Sequence, residues 1–459
     1  MVTIMVIIKR IFIGSVLSVI LFLFLVSCKD PLTTAMEDDS SGTYLSAPSA
    51  FTFRAQRVDN LQWYDVPAEL LYNGEYSLVY VENAGREKVG PDKAREIGQE
   101  FDSVIYSLIR TKFGEESDVD GNGKITILIL DIIDGGDDSS YVAGYFHPGN
   151  AYSAESFPNS NEMDMIYMDM DPGVPGSEDF YITIAHEFQH LVNFFQKVFV
   201  QGSQTGQDTW INEGLSSAAE YLYKGSQVDT RIMLYNSSSY SARSEIQNGK
   251  NFLSWDMSLA NYSTVYLFFQ WLRIHAVNDD AIYKEILNST YDDYRAVENS
   301  ASARIFKGSW QEFLRAWFAA NAVNAEAGIY GYENEIILSP PLYEYNKNTT
   351  ASLNPGWGIY TAISEPAGMT PEGSIDYAGI STTGESVDPN STEGYSGDIL
   401  LSYNINPDPR GGSESTGVLP SFIPVPPSSS LLSRSISDQT AVKKIPVDVL
   451  FTPEGTIKE

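Results

Sequence analysis

Hydrophobic periodicity divides the chain into regions of different character. Over 91–113 the apolar residues Ile97, Phe101, Ile105, Leu108 and Ile109 recur at three- and four-residue spacing, which predicts a helix with one buried face, ended by Gly114. Asp118-Val119-Asp120-Gly121-Asn122-Gly123 reads as a turn. It leads into 125–130, a β-branched and nearly all-apolar run that predicts a strand buried on both faces. A second strand is predicted over 165–168, where flanking acids suggest a sheet edge. Helical spacing then dominates 180–200, 211–224, 264–276, 281–287 and 310–324, separated by Ser-, Asn- and Gly-rich connections. After about residue 335 the chain turns to Gly, Ser, Thr and Pro with short apolar runs at 358–363 and 398–403, which predicts a small β module. Residues 423–430 read as a linker, and the segment from Val442 is left unassigned. No repeat of fixed period is present.

The first 28 residues follow a different logic. Lys9 and Arg10 precede an apolar run over 11–26 that reaches Leu25-Val26-Ser27-Cys28, the charged, apolar and small-residue layout of an export signal. The tetrad resembles a bacterial lipobox. That resemblance implies cleavage before Cys28 and lipidation of its thiol; a plain transmembrane anchor, or a secreted chain with a coincidental cysteine, is the alternative. Cys28 is the sole cysteine, which excludes an intramolecular disulfide and a cysteine zinc cluster. Residues 28–55, rich in Ser, Thr, Asp and Ala, read as a tether. The length of 459 residues, 43% of them hydrophobic, is enough for substantial cores. With 29 Lys and Arg against 60 Asp and Glu, the formal charge of -31 leaves no net basic field for phosphates, so nucleic acid is not an expected partner.

Chemistry concentrates in the apolar helix over 180–200, which carries His186-Glu187-Phe188-Gln189-His190. Residues four apart on a helix lie one above the other, so both imidazoles can face one metal ion, while Glu187 can reach a water beside it. The bland reading is a core helix whose histidines bond to backbone. A catalytic zinc usually keeps three protein ligands, and the next helix offers one in Asn212-Glu213-Gly214-Leu215-Ser216. Glu213 sits near the helix start, 23 residues after His190, with small residues around it that allow a close helix approach. It could instead serve only the helix dipole. Glu220 is the rival ligand, but lies seven residues on, about 10 Å along the axis.

These two motifs resemble the glutamate-type zinc metallopeptidases, and in particular the hyicolysin-like family of secreted bacterial metalloproteases. Softer similarities run in the same order from residue 60 to about 325. The resemblance implies a zincin-like catalytic domain, a zinc ion on His186, His190 and Glu213, Glu187 as the proton-transferring residue, and a protein or peptide substrate. It also points to Tyr262 as a donor to the oxyanion, with Tyr266 and His275 as other candidates; among 28 tyrosines, core packing is the bland alternative for each. His147 reads as a loop residue. There is one departure: four residues beyond the third ligand, thermolysin-like enzymes carry an aspartate that orients a zinc histidine, and this chain has Ser217. That leaves Ser217, Glu220 or a backbone carbonyl to support the imidazole.

Asp118, Asp120 and Asn122 copy the first half of a calcium loop, with Asp131 or Asp134 as a further ligand; position 12 is Ile129 rather than a bidentate glutamate, and a plain turn is the competing reading. The expectation is therefore an α+β protein with a mixed sheet above a helical lower subdomain. Its domains are a signal peptide (1–27), a tether (28–55), a zinc peptidase domain (56–335) and a β-rich C-terminal module (336–459). Zn2+, and Ca2+ if the turn binds it, are the expected ions. The expected location is the bacterial cell envelope, lipid-anchored and extracytoplasmic. The alternative function is a non-enzymatic surface lipoprotein, an adhesin or scaffold keeping a structural zinc.

The anchor reading is tested by Cys28→Ser. A lost acyl chain removes about 0.8 kcal/mol of membrane affinity per buried CH₂, so fractionation should find the variant in the medium or periplasm. Unchanged membrane partition, with no acyl mass on the wild-type chain, would reject it.

Overall fold

The computed structural model describes residues 47–135, 141–344, 353–390, 393–407, 421–425, 450–451 and 457–458. The export signal, Cys28, the tether up to residue 46 and the start of the segment at Val442 lie outside these residues. The order begins β1 (Ala50–Gln56), β2 (Trp63–Asn73) and β3 (Ser77–Glu82), then α1 (Pro91–Glu100), a π-helical stretch (Phe101–Ile105) and α2 (Tyr106–Lys112). β4 (Ile125–Leu130), β5 (Tyr141–Phe146) and β6 (Met165–Asp169) follow. The helical region comprises α3 (Glu178–Phe194), α4 (Thr209–Lys224), α5 (Asp229–Asn236), α6 (Ser241–Gln247), α7 (Leu259–His275), α8 (Ala281–Leu287), α9 (Tyr294–Arg304) and α10 (Trp310–Val323). Last come β7 (Leu342–Glu344), β8 (Gly358–Ala362), β9 (Ile375–Ser381), β10 (Ser386–Asp388), β11 (Ile399–Asn404) and β12 (Ser421–Val425), with a short strand pair at Leu450–Phe451 and Ile457–Lys458.

Among the described residues the first sheet has seven strands, in the order β1-β2-β3-β4-β6-β5-β12. Its centre is parallel, β4 lying between β3 and β6, and its flanks are antiparallel. β4 is buried throughout because its alternate side chains enter two cores. Ile125, Ile127 and Ile129 pack towards the helices, whereas Leu128 and Leu130 join Phe53, Ala55, Val66 and Tyr167 on the other face. The sheet curls enough for β1 to reach β5, where the backbone N–H of Gln56 donates to the Tyr145 hydroxyl at 3.2 Å. The α+β class, with a curled sheet, a helical region and a second sheet, is the architecture the hydrophobic pattern predicts.

Several boundaries differ from expectation. β1 starts at Ala50, inside the span read as tether, because Phe53 and Ala55 are fully buried. β6 is an interior strand, buried at every position, and not a sheet edge. Its flanking acids serve backbone donors instead of solvent: Asp169 accepts from the N–H groups of Ile132, Asp171 and Gly173, and Asp164 from Val119. Residues 423–425 of the supposed linker belong to β12, which pairs antiparallel with β5 through an irregularity between Phe422 and Pro424. Thus part of the region assigned to the C-terminal module extends the first sheet.

The second sheet, ordered β10-β9-β11-β8-β7, shares its core with the helices. Tyr360 donates its hydroxyl to the carbonyl of Phe318 on α10 at 2.8 Å, and Ala378, Ile380, Leu401 and Tyr403 are buried in the same cluster as Phe318.

The close packing of α4 on α7 produces one sharp constraint. A Cβ built on Gly214 would lie 2.1 Å from Cε2 of Phe269, whose ring is fully buried. Gly214→Ala should therefore lower thermal stability by about 1–3 kcal/mol through overpacking, despite alanine's better helix propensity. A midpoint at or above that of the wild type would refute this steric account.

Candidate active site

Helix α3 starts with a Ser177 side chain that accepts from the Phe180 N–H at 3.2 Å, and Phe180 to Phe194 are all buried. An apolar helix of this kind carries polar side chains only where they meet partners. His186 and His190 lie one turn apart on the same helix face, their rings edge to face with centroids 4.7 Å apart. Helix α4 returns across them, with Gly214, Ser216, Ser217, Ala218 and Ala219 buried along it, and delivers Glu213. Oε2 of Glu213 lies 3.3 Å from Nε2 of His186 and 3.6 Å from Nε2 of His190.

These three atoms converge without making aligned hydrogen bonds to one another. Nε2 of both histidines and Oε2 of Glu213 are buried and lack hydrogen-bond partners, and the ligand atoms fall within 4.8 Å of one another. Buried polar atoms left so are costly unless something lies between them. Two imidazoles and a carboxylate make the donor set that suits a catalytic zinc with an open position, so the residues present fit the ion.

The outward-facing nitrogens are held differently. Nδ1 of His186 is 2.8 Å from Oε1 of Glu220, and Arg231 grips the same carboxylate through Nε at 3.1 Å and Nη2 at 2.6 Å. Nδ1 of His190 meets Oδ1 of Asn212 and Oγ of Ser216, each at 3.0 Å. Glu220 and Glu213 thus flank His186 from opposite sides of its ring, and Glu220 does not share the ligand cluster. Ser217 Oγ is buried without a hydrogen-bond partner. Asn212, Ser216 and Arg231 escaped the sequence reading. Asn212 lay visibly beside Glu213, whereas nothing in the local pattern marks Arg231.

The charges follow from burial set against neighbours. Burial raises the Glu187 carboxyl well above its usual range, and nearby Glu213 and Glu220 push the same way, against His186 and the Phe146 backbone N–H. Burial also opposes ionisation of Glu213 and Glu220, but it is overcome: the two imidazoles hold Glu213 low, and Arg231 with His186 brings Glu220 to about 2. Burial disfavours protonated His186, yet Glu213 and Glu220 lift it to about 9. A cation entering this site therefore displaces a proton.

Tyr262 is fully buried and its hydroxyl has no hydrogen-bond partner. Burial and the charge of Glu213 raise its pKa far above the ordinary value. The other oxyanion candidates are engaged elsewhere: Tyr266 donates to Oε1 of Gln227 at 2.6 Å, and Nε2 of His275 pairs with the Gly331 carbonyl at 2.9 Å. Nδ1 of His147 accepts from the Gly149 N–H at 3.0 Å, as a loop residue would.

At the acidic turn, the carboxylates of Asp118 and Asp120 converge with that of Asp164, which the sequence pattern did not point to. Asn122 lies in the same turn, donating to Asp120 at 2.6 Å and accepting from the Lys124 N–H at 2.7 Å. Asp131 and Asp134 are outside this carboxylate cluster. The six residues of β4 rise about 20 Å and carry them to the far end of the sheet.

A buried His/His/Glu cluster beside a buried glutamate, set in an α+β fold, is the donor arrangement that a zinc metallopeptidase would use. No family model matches the chain. It is 36% identical over 318 residues to the neutral metalloprotease ShpI of Staphylococcus hyicus, covering 66% of this chain and 70% of that protein. The chain belongs to this family of bacterial neutral metalloproteases.

The flanking arrangement of the two glutamates separates their roles. Glu213→Ala should abolish tight zinc binding, whereas Glu220→Ala should retain the metal with affinity reduced about 10–100-fold. Metal analysis of the purified variants decides this, and loss of zinc confined to Glu220→Ala would reverse the assignment.

Proposed function

We propose that the chain is a zinc-dependent endopeptidase of the glutamate type, hyicolysin-like in its site. It is held in the bacterial envelope by lipid on Cys28, faces away from the cytoplasm and hydrolyses extracellular proteins. The observation that carries the reading is the convergence of three orphaned buried ligand atoms beside a buried glutamate with no aligned partner. In this reading His186, His190 and Glu213 hold the zinc, which when bound supplies Lewis acidity to the attacking water and the scissile carbonyl. Glu187 accepts the proton released by the water and returns it to the leaving amine, a role its raised basicity serves. Tyr262 donates its hydroxyl proton in a hydrogen bond to the oxyanion as the carbonyl becomes tetrahedral. The water-excluding surroundings of these side chains strengthen each of these interactions. The peptidase unit runs from β1 through α10. The acidic turn, with Asp118, Asp120 and Asp164, is its candidate calcium position.

Incubation of the purified protein with a peptide library, with and without a chelator and with zinc restored, tests the reading; cleavage should stop with chelation and return with zinc. Glu187→Gln separates catalysis from metal holding. It should retain zinc at near-full stoichiometry and lose peptidase activity by about 10²–10⁴-fold or more. A zinc-loaded wild-type protein that cleaves no peptide would favour the surface scaffold instead.

A further inference from the structure

We propose that Arg231 is a positioning residue of the metal site, clamping Glu220 so that His186 presents Nε2 to the ion. The inference rests on the reading of His186 as a zinc ligand. Its starting point is the unpartnered Ser217: support for His186 comes instead from Glu220, three residues further along α4. A glutamate has a longer and more mobile side chain than an aspartate, so holding an imidazole from there needs a second restraint. Arg231 supplies it. Its Nε and Nη2 grip both carboxylate oxygens at 3.1 and 2.6 Å, a two-pronged contact that fixes the plane of the carboxylate. Oε1 then accepts from His186 Nδ1 at 2.8 Å. An ionised carboxylate only accepts, so Nδ1 carries a proton and Nε2, the nitrogen that faces Glu213, is the one left to give its lone pair to an ion.

The arginine is itself anchored beside the site. Ser263 donates its hydroxyl to the Arg231 carbonyl at 2.7 Å, tying α5 to α7 one residue after Tyr262. The guanidinium carbon lies 5.2 Å from the centroid of the Tyr262 ring. His186, Glu220 and Arg231 are 0%, 1% and 5% exposed, so water does not compete for these contacts. A buried ion pair is a weak source of stability in itself, and here its terminus is an imidazole aimed at the ligand cluster. His190, by contrast, is backed by the neutral groups of Asn212 and Ser216.

Arg231→Lys tests the clamp, since lysine keeps the charge but loses the planar fork. Zinc affinity is measured by chelator competition on the full chain, and the visible spectrum of the cobalt-substituted protein reports ligand geometry. The zinc dissociation constant should rise about 10–100-fold, with a changed cobalt spectrum. In a Glu220→Gln background the same substitution should alter affinity less than twofold, because the arginine acts through that carboxylate. A wild-type chain that binds zinc and an Arg231→Lys chain that binds it equally well would overturn the proposal while sparing the zinc reading; a wild-type chain that binds no zinc would overturn both. An equal loss in both backgrounds would also overturn it. Should Arg231→Lys fail to fold, Glu220→Gln reads the clamp from its other end, and wild-type affinity there would overturn it too.

Discussion

The close approach of α3 and α4 is the constraint on which the site depends. Two helices can bring a histidine pair and a glutamate together in a dry interior only if the backbone of one comes unusually near the other elements packed around it. Gly214, Ser216, Ser217, Ala218 and Ala219 make α4 narrow, and Phe269 of α7 occupies the space a side chain on Gly214 would need. The interior stays packed as a result, and the ligand atoms meet at distances a metal ion can bridge. Glu213 is immediately next to Gly214, so the ligand and the glycine that lets α4 pack on α7 are adjacent.

Close approach brings an electrostatic difficulty, because Glu187, Glu213 and Glu220 are all buried near the same histidine. Three carboxylates in low dielectric repel one another and resist ionisation. The structure answers this unevenly. Glu220 is neutralised by Arg231 and ionises readily, Glu213 is held by the two imidazoles, and Glu187 is left to be basic. That asymmetry separates support, ligation and proton transfer among residues of one chemical type.

The two sheets support this arrangement from different sides. β5 and β6 form the apolar backing against which α3 lies, with Phe146, Ile166 and Met168 in the shared core. The second sheet buries Tyr360 and Tyr403 in the helical core and ties itself to α10 by the Tyr360 to Phe318 hydrogen bond. It is thereby part of the helical core's packing, which a reading of composition as a separate appendage does not convey.

Local periodicity was sufficient for the elements whose pattern is strong. The helix through Ile97, Phe101, Ile105 and Ile109, the strand Ile125–Leu130 and the helix bearing His186 and His190 are all legible because their apolar spacing matches one backbone repeat. Likewise, the pairing of His186, Glu187 and His190 is a property of one helix turn. Glu213 was legible from its small-residue context. Everything that depended on elements distant in the chain was not. Glu220 and Arg231 meet where α4 and α5 both pack on α7, and Asp164 reaches Asp118 and Asp120 because β6 lies beside β4. The interior place of β6 was hidden because its acids satisfy backbone donors, and composition alone cannot distinguish such a partner from solvent. The sequence by itself determined which side chains share a helix face. Tertiary structure decided which carboxylate faces which nitrogen, because the two nitrogens of His186 face Glu213 and Glu220 at distances set by packing and not by sequence spacing.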